Sequence, residues 1–252
     1  MIVKSMSDLH VEHQYGHGPR FLRKLDLSGV DCLLLPGDIS PICRTDEFEA
    51  FFKDVTSRVK NVLYVPGNHE YWRQIRRTER SAEQSLGLMK EVCSKFTNLH
   101  LFDNDIVTLD GKRFIGGTMW YDRQNDCYGK AKHVDDDMVS GLDPWVFQQN
   151  AKFIDLLDKE LAAGDIVLSH HAPSHRSAEE KYQHSIMAHC WVHDVTARII
   201  ERKPSFWFHG HVHVTSGYQL GDTYVVCNPF GYEDMNNLNE RFKLANRQHA
   251  LS

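Results

Sequence analysis

Features that mark several protein classes are missing from this chain of 252 residues. It lacks an excess of positive charge, because 29 Lys and Arg residues are opposed by 34 Asp and Glu residues, for a formal net charge of -5. Holding a nucleic-acid backbone would therefore require a local basic patch or a metal. No run approaches the ~18 consecutive apolar residues of a membrane span, and the apolar stretch between Met1 and Asp8 is too short for a secretory signal peptide. We expect neither a membrane segment nor export by that route.

The cysteines lack the close spacing of a zinc or redox motif. There are six of them, at Cys32, Cys43, Cys93, Cys127, Cys190 and Cys227. No two form a C-x-x-C pair, so reduced and mostly buried thiols explain them better than a disulfide framework. This pattern predicts a cytoplasmic protein.

The chain also lacks internal repeats and any Pro/Gly/Ser-rich linker that would divide it. Its hydrophobic fraction of 41% and charged fraction of 25% are ordinary for a folded globular protein. We therefore predict one domain over residues 1–252. The composition is unusual in its 16 histidines, because imidazole is the commonest metal ligand in proteins.

Short apolar runs alternate with amphipathic stretches. Six runs read as buried strands: Ile2 to Met6, Cys32 to Leu35, Val62 to Val65, Ile166 to Leu168, Phe206 to Phe208 and Tyr224 to Cys227. Apolar residues at helical spacing predict helices from Phe48 to Val59 and from Phe147 to Leu161. Ile106 to Leu109 and Arg113 to Gly117 flank Asp110-Gly111 and predict a hairpin. The alternation predicts an α/β fold with a mixed sheet.

Metal-capable side chains follow five of these apolar runs. In chain order they are Asp8 and His10, Asp38, Asn68 with His69 and Glu70, His170 with His171, and His209 with His211 and His213. Ligands of α/β proteins bind in the crevice at the carboxyl ends of the strands, where loops converge. Turn chemistry explains the Gly, Asp and Asn residues there, but not a histidine beside nearly every strand end. We expect these side chains to meet around metal.

The candidate ligands are of mixed Asp, Asn and His type, and seven of them are expected to bind metal. They are too many for one tetrahedral zinc ion and too rich in nitrogen for calcium or magnesium. They suit two divalent transition-metal ions sharing one carboxylate, with Mn²⁺ favoured and Fe, Zn, Ni or Co possible. Such a pair clamps the attacking and leaving oxygens of a displacement at phosphorus. We predict hydrolysis of a phosphate ester by metal-bound hydroxide.

The ordered motifs make the prediction more specific. Asp8-x-His10, Gly37-Asp38, Gly67-Asn68-His69-Glu70, His170 and Gly210-His211-x-His213 together resemble the calcineurin-like metallophosphoesterases. The resemblance implies a two-sheet mixed β-sandwich flanked by helices, a four-layer architecture with a dinuclear site at one edge. Asp38 is followed by Ile39-Ser40-Pro41, not by the Asp-Arg-Gly of the protein Ser/Thr phosphatases, so the chain looks like a small bacterial-type member.

The same resemblance implies a role for each motif residue. One metal would be held by Asp8, His10 and His213, the other by Asn68, His170 and His211, with Asp38 as the bridge. His69 would protonate the leaving oxygen or stabilise its charge, and Glu70 would orient the His69 imidazole. His171 competes with His170 as the ligand, and His170 is preferred because it directly ends its strand.

Several alternatives stay open at this level. The same chain would fit a catalytically silent scaffold, a metal-sensing binding module or a nuclease, although the net charge disfavours nucleic acid. A small phosphorylated substrate is expected, with monoester or diester preference and oligomeric state undecided. Residues 121–143 and 172–193 are long for idle connections and are expected at the rim of the site. His184, His189 and His193 are expected to be partly exposed rather than a third metal site, and His209 to support or pack.

Overall fold

The computed structural model describes residues 1–14, 18–72, 80–121, 142–183, 188–232 and 247–251. The described strands are β1 (Ile2–Ser5), β2 (Cys32–Pro36), β3 (Asn61–Val65), β4 (Leu99–Leu101), β5 (Asp105–Leu109), β6 (Lys112–Gly117), β7 (Ile166–Ser169), β8 (Phe206–His209), β9 (Ser216–Leu220), β10 (Thr223–Cys227) and β11 (His249–Ala250). The described helices are α1 (Pro19–Lys24), α2 (Thr45–Thr56), α3 (Ala82–Cys93), α4 (Leu142–Glu160), α5 (Ala188–Trp191) and α6 (Thr196–Arg202).

The described strands form two mixed sheets. The first has five strands in the order β11-β1-β2-β3-β4, and the second has six in the order β5-β6-β7-β8-β10-β9. In the first sheet β1 to β4 run parallel, and β11 is antiparallel to β1. In the second, β6, β7, β8 and β10 run parallel, while β5 and β9 are antiparallel edge strands. The parallel strands put most of their carboxyl ends at one edge of each sheet.

The buried apolar runs form these strands because both of their faces are covered. In β2, Leu34 belongs to the cluster between the two sheets, together with Leu168 and Phe208. Its neighbours Leu33 and Leu35 point to the opposite face and belong to the cluster under the helices. Successive strand residues face opposite sides, so a strand covered on both sides is apolar throughout rather than alternating.

Helices cover the outer face of each sheet. Phe48 and Phe52 of α2 and Met89 of α3 pack in the cluster on the first sheet, and Phe153 of α4 and Ile199 of α6 pack in the cluster on the second. The layers are therefore helix, sheet, sheet and helix. This confirms the α/β sandwich with two mixed sheets that the motif resemblance implied.

Local sequence explains the turns and helix starts. The Asp110-Gly111 turn has φ values of 47° and 75°, the pair of positive values that a two-residue turn needs between twisted strands. It joins β5 and β6, so the hairpin prediction is confirmed. Helix α3 was missed, although its start carries a signal: the Ser81 hydroxyl caps the Gln84 N–H, and the Gln84 side chain accepts the Ser81 N–H.

One cysteine prediction is wrong. Cys32, Cys43, Cys93 and Cys227 are free and buried, but Cys190 is disulfide-bonded. Spacing along the chain does not reveal which cysteines meet in space, and this is why the sequence pattern failed there. Cys127 lies outside the described residues, and the cytoplasmic location stays a prediction.

Two further points concern the extent of the chain. Among the described helices, none combines the length and apolar character needed to cross a bilayer. The division of residues 1–252 into a single domain stays a prediction. Of the two expected rim segments, residues 122–141 and 184–187 lie outside the described part of the chain.

Truncating Phe153 should test the packing of α4 on the second sheet. Its side chain is fully buried, so we expect Phe153→Ala to lower the free energy of unfolding by about 3–5 kcal/mol through lost burial and a residual cavity. Urea denaturation measures this loss. Ile200→Ala is the control, because Ile200 on α6 is 50% exposed and should change stability by less than about 0.5 kcal/mol. Equal effects of the two substitutions would contradict the packing described.

Candidate metal centre

The predicted ligand residues converge on one place because loops from both sheets end there. Asp8 and His10 follow β1, Asp38 follows β2 and Asn68 follows β3, all in the first sheet; His170 follows β7 and His211 follows β8 in the second. The loops are tied by main-chain hydrogen bonds. The His10 N–H donates to the Asp38 carbonyl over 3.0 Å, and the Gly210 N–H donates to the His170 carbonyl over 3.0 Å. The site therefore spans both sheets.

Most of these residues adopt an unusual backbone conformation. Five have left-handed φ values: Asp8 (54°), His10 (44°), Asp38 (57°), His211 (68°) and His213 (51°). A residue with a side chain in this region costs about 1–3 kcal/mol, and such residues cluster at functional sites where the surroundings hold them. The clustering of five such residues in these loops makes this edge of the sandwich the candidate functional site.

One group of candidate ligands surrounds the Asp8 carboxylate. Its members are Asp8, His10, Asp38 and His213. The Nε2 atoms of His10 and His213 lie 3.0 Å apart, and the His213 Nε2 lies 3.4 Å from Asp8 Oδ1. Two hydrogen bonds hold the Asp8 carboxylate in place. The backbone N–H of His211 donates to its Oδ1 over 2.9 Å, and the Ser7 hydroxyl donates to its Oδ2.

A second group lies on the other side of Asp38. Asp38 Oδ1 is 3.4 Å from the Nε2 of His170, which in turn is 2.9 Å from Asn68 Oδ1 and 3.2 Å from His211 Nδ1. Asp38 Oδ2 faces the first group, 3.9 Å from His10 Nε2. One carboxylate thus presents one oxygen to each group, an arrangement that allows two neighbouring cations to share it as a ligand.

The donor set fits cations. His170 Nδ1 lies 2.9 Å from the Pro36 carbonyl, an acceptor only, so this nitrogen carries the proton. In a neutral His170 the Nε2 lone pair would then face the Asn68 side-chain oxygen, and either a proton or a metal ion on Nε2 removes that repulsion. Although burial disfavours charge here, the Asp38 carboxylate raises the pKa of His170 to about 9. The site therefore demands positive charge at Nε2.

The His171 ring packs against the His211 ring, with centroids 4.3 Å apart, but His171 is not a member of the groups of candidate ligands. Its ring is buried, its Nδ1 is 3.3 Å from the Thr118 carbonyl, and its ring packs 5.4 Å from that of Trp120. Burial, with the neighbouring His170, lowers the pKa of His171 to about 3. Of the two adjacent histidines, the structure places His170 among the candidate ligands.

His69 lies beside the shared carboxylate but outside the two groups that contain it. The backbone N–H of His69 donates to Asp38 Oδ1 over 2.9 Å. The ring Nε2 is 3.9 Å from Asp38 Oδ2, and the ring stacks on Trp72 with centroids 3.5 Å apart. Burial lowers the pKa of His69, but the Asp38 and Glu12 carboxylates outweigh it and raise the pKa above its usual value. The imidazole is thus disposed to carry a proton.

Glu70 does not orient His69, which corrects the role expected for it. Its carboxylate accepts backbone N–H groups instead: Gly67 over 2.7 Å, Asp38 over 3.1 Å and Ile39 over 2.7 Å. These three donors lie on the loops after β2 and β3, so Glu70 ties the two loops together. Burial, reinforced by the Asp38 charge, raises the pKa of Glu70 to about 7.

The carboxylate beside the Nδ1 atom of His69 is that of Glu12, a residue that the sequence reasoning missed. Its Oε1 lies 3.7 Å from His69 Nδ1 and 3.7 Å from His10 Nδ1. Burial raises the pKa of Glu12, but contacts with His10 and His69 outweigh it and bring the pKa to about 2. The only signal for it in the sequence is its place two residues after His10.

Two further histidines that the sequence analysis singled out, His209 and His193, are buried outside the groups of candidate ligands. His209 is fully buried, with its Nε2 2.9 Å from the Ser177 hydroxyl and its Nδ1 3.0 Å from the Gly210 carbonyl. His193 is also buried, so the expectation of partial exposure is wrong there: its Nδ1 lies 3.3 Å from the Asn150 side chain. His184 and the side chain of His189 lie outside the described part of the chain.

A cavity of about 240 Å³ opens beside the cluster. His211 and His213 line it together with one acidic residue, Glu179, and with the apolar or aromatic residues Ala178, Tyr182, Trp191, Val212 and Val214. Tyr182 and Trp191 belong to the expected rim segment, residues 172–193.

A family model of calcineurin-like phosphoesterases matches residues 1–215. The chain belongs to this family. The matched residues include each of the candidate ligands. The strands β9, β10 and β11 lie beyond the match and complete the two sheets.

Two comparisons show how far the likeness extends. The uncharacterized protein L509 of Acanthamoeba polyphaga mimivirus is 27% identical over 271 residues, which cover 94% of this chain and 94% of that protein. The crystal structure of the phosphopantetheinyl hydrolase of Mycobacterium tuberculosis superimposes with a TM-score of 0.72 at 18% identity, covering 91% of this chain and 89% of that one. At that identity the second likeness establishes the fold.

Gly67 offers a test of the close packing at the shared carboxylate. A Cβ at this position would collide with Asp38 Oδ1 and would lie 2.6 Å from the Asp38 nitrogen, and the backbone gives no room to move. We expect Gly67→Ala to reduce divalent-metal binding at least about 10-fold, the effect of disturbing groups that hold ligands. Calorimetric titration with Mn²⁺ measures the affinity.

Gly87 provides the matched control, because a Cβ added there meets nothing within 4 Å. Gly87 lies inside α3, so Gly87→Ala should stabilise the fold by about 0.5–1 kcal/mol and leave metal affinity unchanged. Unchanged metal affinity in Gly67→Ala would contradict the geometry given for the site.

Proposed function

We propose that this protein is a phosphoesterase that uses two divalent cations to hydrolyse a small phosphorylated substrate. The observation that carries the proposal is the Asp38 carboxylate, whose Oδ1 faces His170 and whose Oδ2 faces His10 and His69. Family membership supports a hydrolase with divalent metals. The dinuclear mechanism, the substrate and the metal identity go beyond it and belong to this proposal.

Each candidate ligand takes one role in it. Asp8, His10 and His213 would hold one cation, and Asn68, His170 and His211 the other, with Asp38 common to both. When bound, the two ions lower the pKa of an attacking water and offset the negative charge of the phosphate oxygens. The mixture of carboxylate, amide and imidazole ligands suits Mn²⁺ and also Fe, Zn, Ni or Co.

His69 supplies the proton in this proposal. Its ring is fixed on one face by Trp72, and its raised pKa keeps it protonated closer to neutral pH. A protonated imidazole next to the phosphate can donate to the leaving oxygen as the ester bond breaks. Asp38 then has two functions, as the shared ligand and as the charge that keeps the His69 proton in place.

The substrate is proposed to be small rather than a nucleic acid. The net charge of -5 gives no general attraction for a polyanion, and the cavity beside His211 and His213 has room for the group that the phosphate carries. A phosphopantetheinyl ester belongs in the substrate panel because of the fold shared with the mycobacterial hydrolase. A cytoplasmic location is proposed on the four free, buried cysteines, in spite of the bonded Cys190. No membrane partner is proposed, and a nucleic-acid partner is disfavoured by the net charge without being excluded.

Removing the shared carboxylate should remove both metals. We expect Asp38→Ala to contain fewer than the two Mn²⁺ per chain proposed for the wild type, and to lose about a thousandfold or more in turnover, since metals supply several kcal/mol of transition-state stabilisation. Elemental analysis and hydrolysis of bis(p-nitrophenyl) phosphate and p-nitrophenyl phosphate with added Mn²⁺ measure the two effects. A wild-type protein that binds no metal after reconstitution would end the proposal; bound metal without turnover on any ester would favour the silent scaffold.

Replacing His69 should separate proton donation from metal binding. We expect His69→Gln to keep both metals and to lose about 10²- to 10⁴-fold in kcat, the usual contribution of a general acid. The loss should be larger for an alkyl leaving group than for p-nitrophenolate, because the weaker leaving group depends more on a proton. His100→Gln, on β4, serves as the control. A loss independent of the leaving group would show that His69 acts in another way.

A further inference from the structure

A buried carboxylate next to the metal centre has no role in the proposal so far. Glu12 lies in the 3-10 turn Val11–His13, which begins directly after His10 in its left-handed conformation. That backbone reversal folds Glu12 back beneath the His10 ring, and only 3% of its side chain is exposed. A buried carboxylate is unfavourable without partners, so its surroundings should explain why the chain keeps it.

The surroundings are imidazoles. Glu12 Oε1 is 3.7 Å from the Nδ1 of His10 and 3.7 Å from the Nδ1 of His69. Within the described residues, neither carboxylate oxygen and neither of these nitrogens makes a hydrogen bond. The exposed His13 also brings its Nε2 to 3.6 Å from Glu12 Oε1, but the His10 and His69 rings are the buried neighbours of this carboxylate. Hydrogen bonds at catalytic sites are often long in ligand-free structures and tighten when the site is loaded.

The opposite nitrogen of each ring points into the metal centre. His10 Nε2 lies 3.0 Å from His213 Nε2, and His69 Nε2 lies 3.9 Å from Asp38 Oδ2. A neutral imidazole has one N–H and one lone pair. A carboxylate at Nδ1 holds the proton there, which leaves the Nε2 of His10 free to bind a cation and keeps the Nε2 of His69 directed at the reacting groups.

A third cation between Glu12, His10 and His69 is the competing explanation, because these three side chains form a compact group. It would require His10 to bind cations through both nitrogens and so to lose its last N–H proton. A shared carboxylate acceptor explains the same contacts without removing that proton.

We propose that Glu12 is a positioning residue that fixes the Nδ1–H tautomer of both His10 and His69 through one shared carboxylate. This inference rests on the proposed function in its account of His69, but the tautomers themselves do not depend on turnover. The Glu12 side chain thereby links His10, a ligand of one cation, to His69, the proton donor.

The test compares Glu12→Gln with the wild type. The amide keeps the size of the carboxylate but loses its negative charge and one of its two acceptor oxygens, so it holds the protons on the two Nδ1 atoms less strongly. Long-range ¹H–¹⁵N correlation spectra report which ring nitrogen carries the proton. They are recorded at alkaline pH on metal-free and zinc-loaded protein, with signals assigned by their loss in His10→Gln and His69→Gln.

We expect both rings to be Nδ1–H in the wild type, and at least one to become mixed or Nε2–H in Glu12→Gln. Metal affinity and kcat should each fall about 10- to 100-fold, with KM nearly unchanged, and Glu12→Asp should restore part of the loss. Glu49→Gln, an exposed carboxylate on α2 paired with Lys95, should match the wild type in every measurement.

Three results would overturn the inference: an Nε2–H ring at His10 or His69 in the wild type, unchanged tautomers in Glu12→Gln, or three metals per chain. The first and third need only the wild type, so a variant that fails to fold does not prevent a decision. An inactive wild type with both rings Nδ1–H in the metal-free state would refute the proposed function and support the role of Glu12.

Discussion

The constraint on which this structure depends is the burial of the Asp38 carboxylate. The residue is 1% exposed, and a buried negative charge must be paired and hydrogen-bonded or it destabilises the fold by several kcal/mol. Burial raises the pKa of Asp38, but His170 and His69 outweigh it and hold the pKa well below its usual value. The carboxylate therefore stays charged, and the surrounding loops are arranged to supply positive partners.

Glu70 is a second buried carboxylate near Asp38, and backbone N–H groups rather than a further cation stabilise it. A second buried carboxylate next to Asp38 would repel it if both were charged, and the raised pKa of Glu70 reflects that repulsion together with burial. Its backbone donors from Gly67, Asp38 and Ile39 oppose the shift. Glu70 binds backbone N–H groups and connects the loops after β2 and β3. Asp38 faces the histidines of the site instead, so the two carboxylates have different roles.

Local patterns predicted the α/β alternation and the polar residues that follow its strands, whereas the two-sheet sandwich was implied by the resemblance of the ordered motifs to a known family. Strand runs such as Cys32 to Leu35 are apolar throughout, and the polar residues after them stand where parallel strands end. The sequence reasoning missed what depends on contacts between distant segments. Glu12 reaches His69 across 57 positions of sequence, Glu70 turns to backbone N–H groups instead of the adjacent ring, and Cys190 is bonded. No periodicity encodes such contacts, and side-chain direction after a left-handed residue cannot be inferred from spacing.

Backbone hydrogen bonds to the ligand carboxylates connect the residues of the site. Asp8 accepts the backbone N–H of His211, and Asp38 accepts the backbone N–H of His69. The left-handed backbone of His211 is therefore held by the side chain of another candidate ligand, and this link joins the first sheet to the second. Moving any member displaces the donor on which its neighbour depends, and in such networks the effects of single changes do not add. These hydrogen bonds hold the Asp8 and Asp38 carboxylates in place without a cation, which lowers the reorganisation that metal binding would otherwise require.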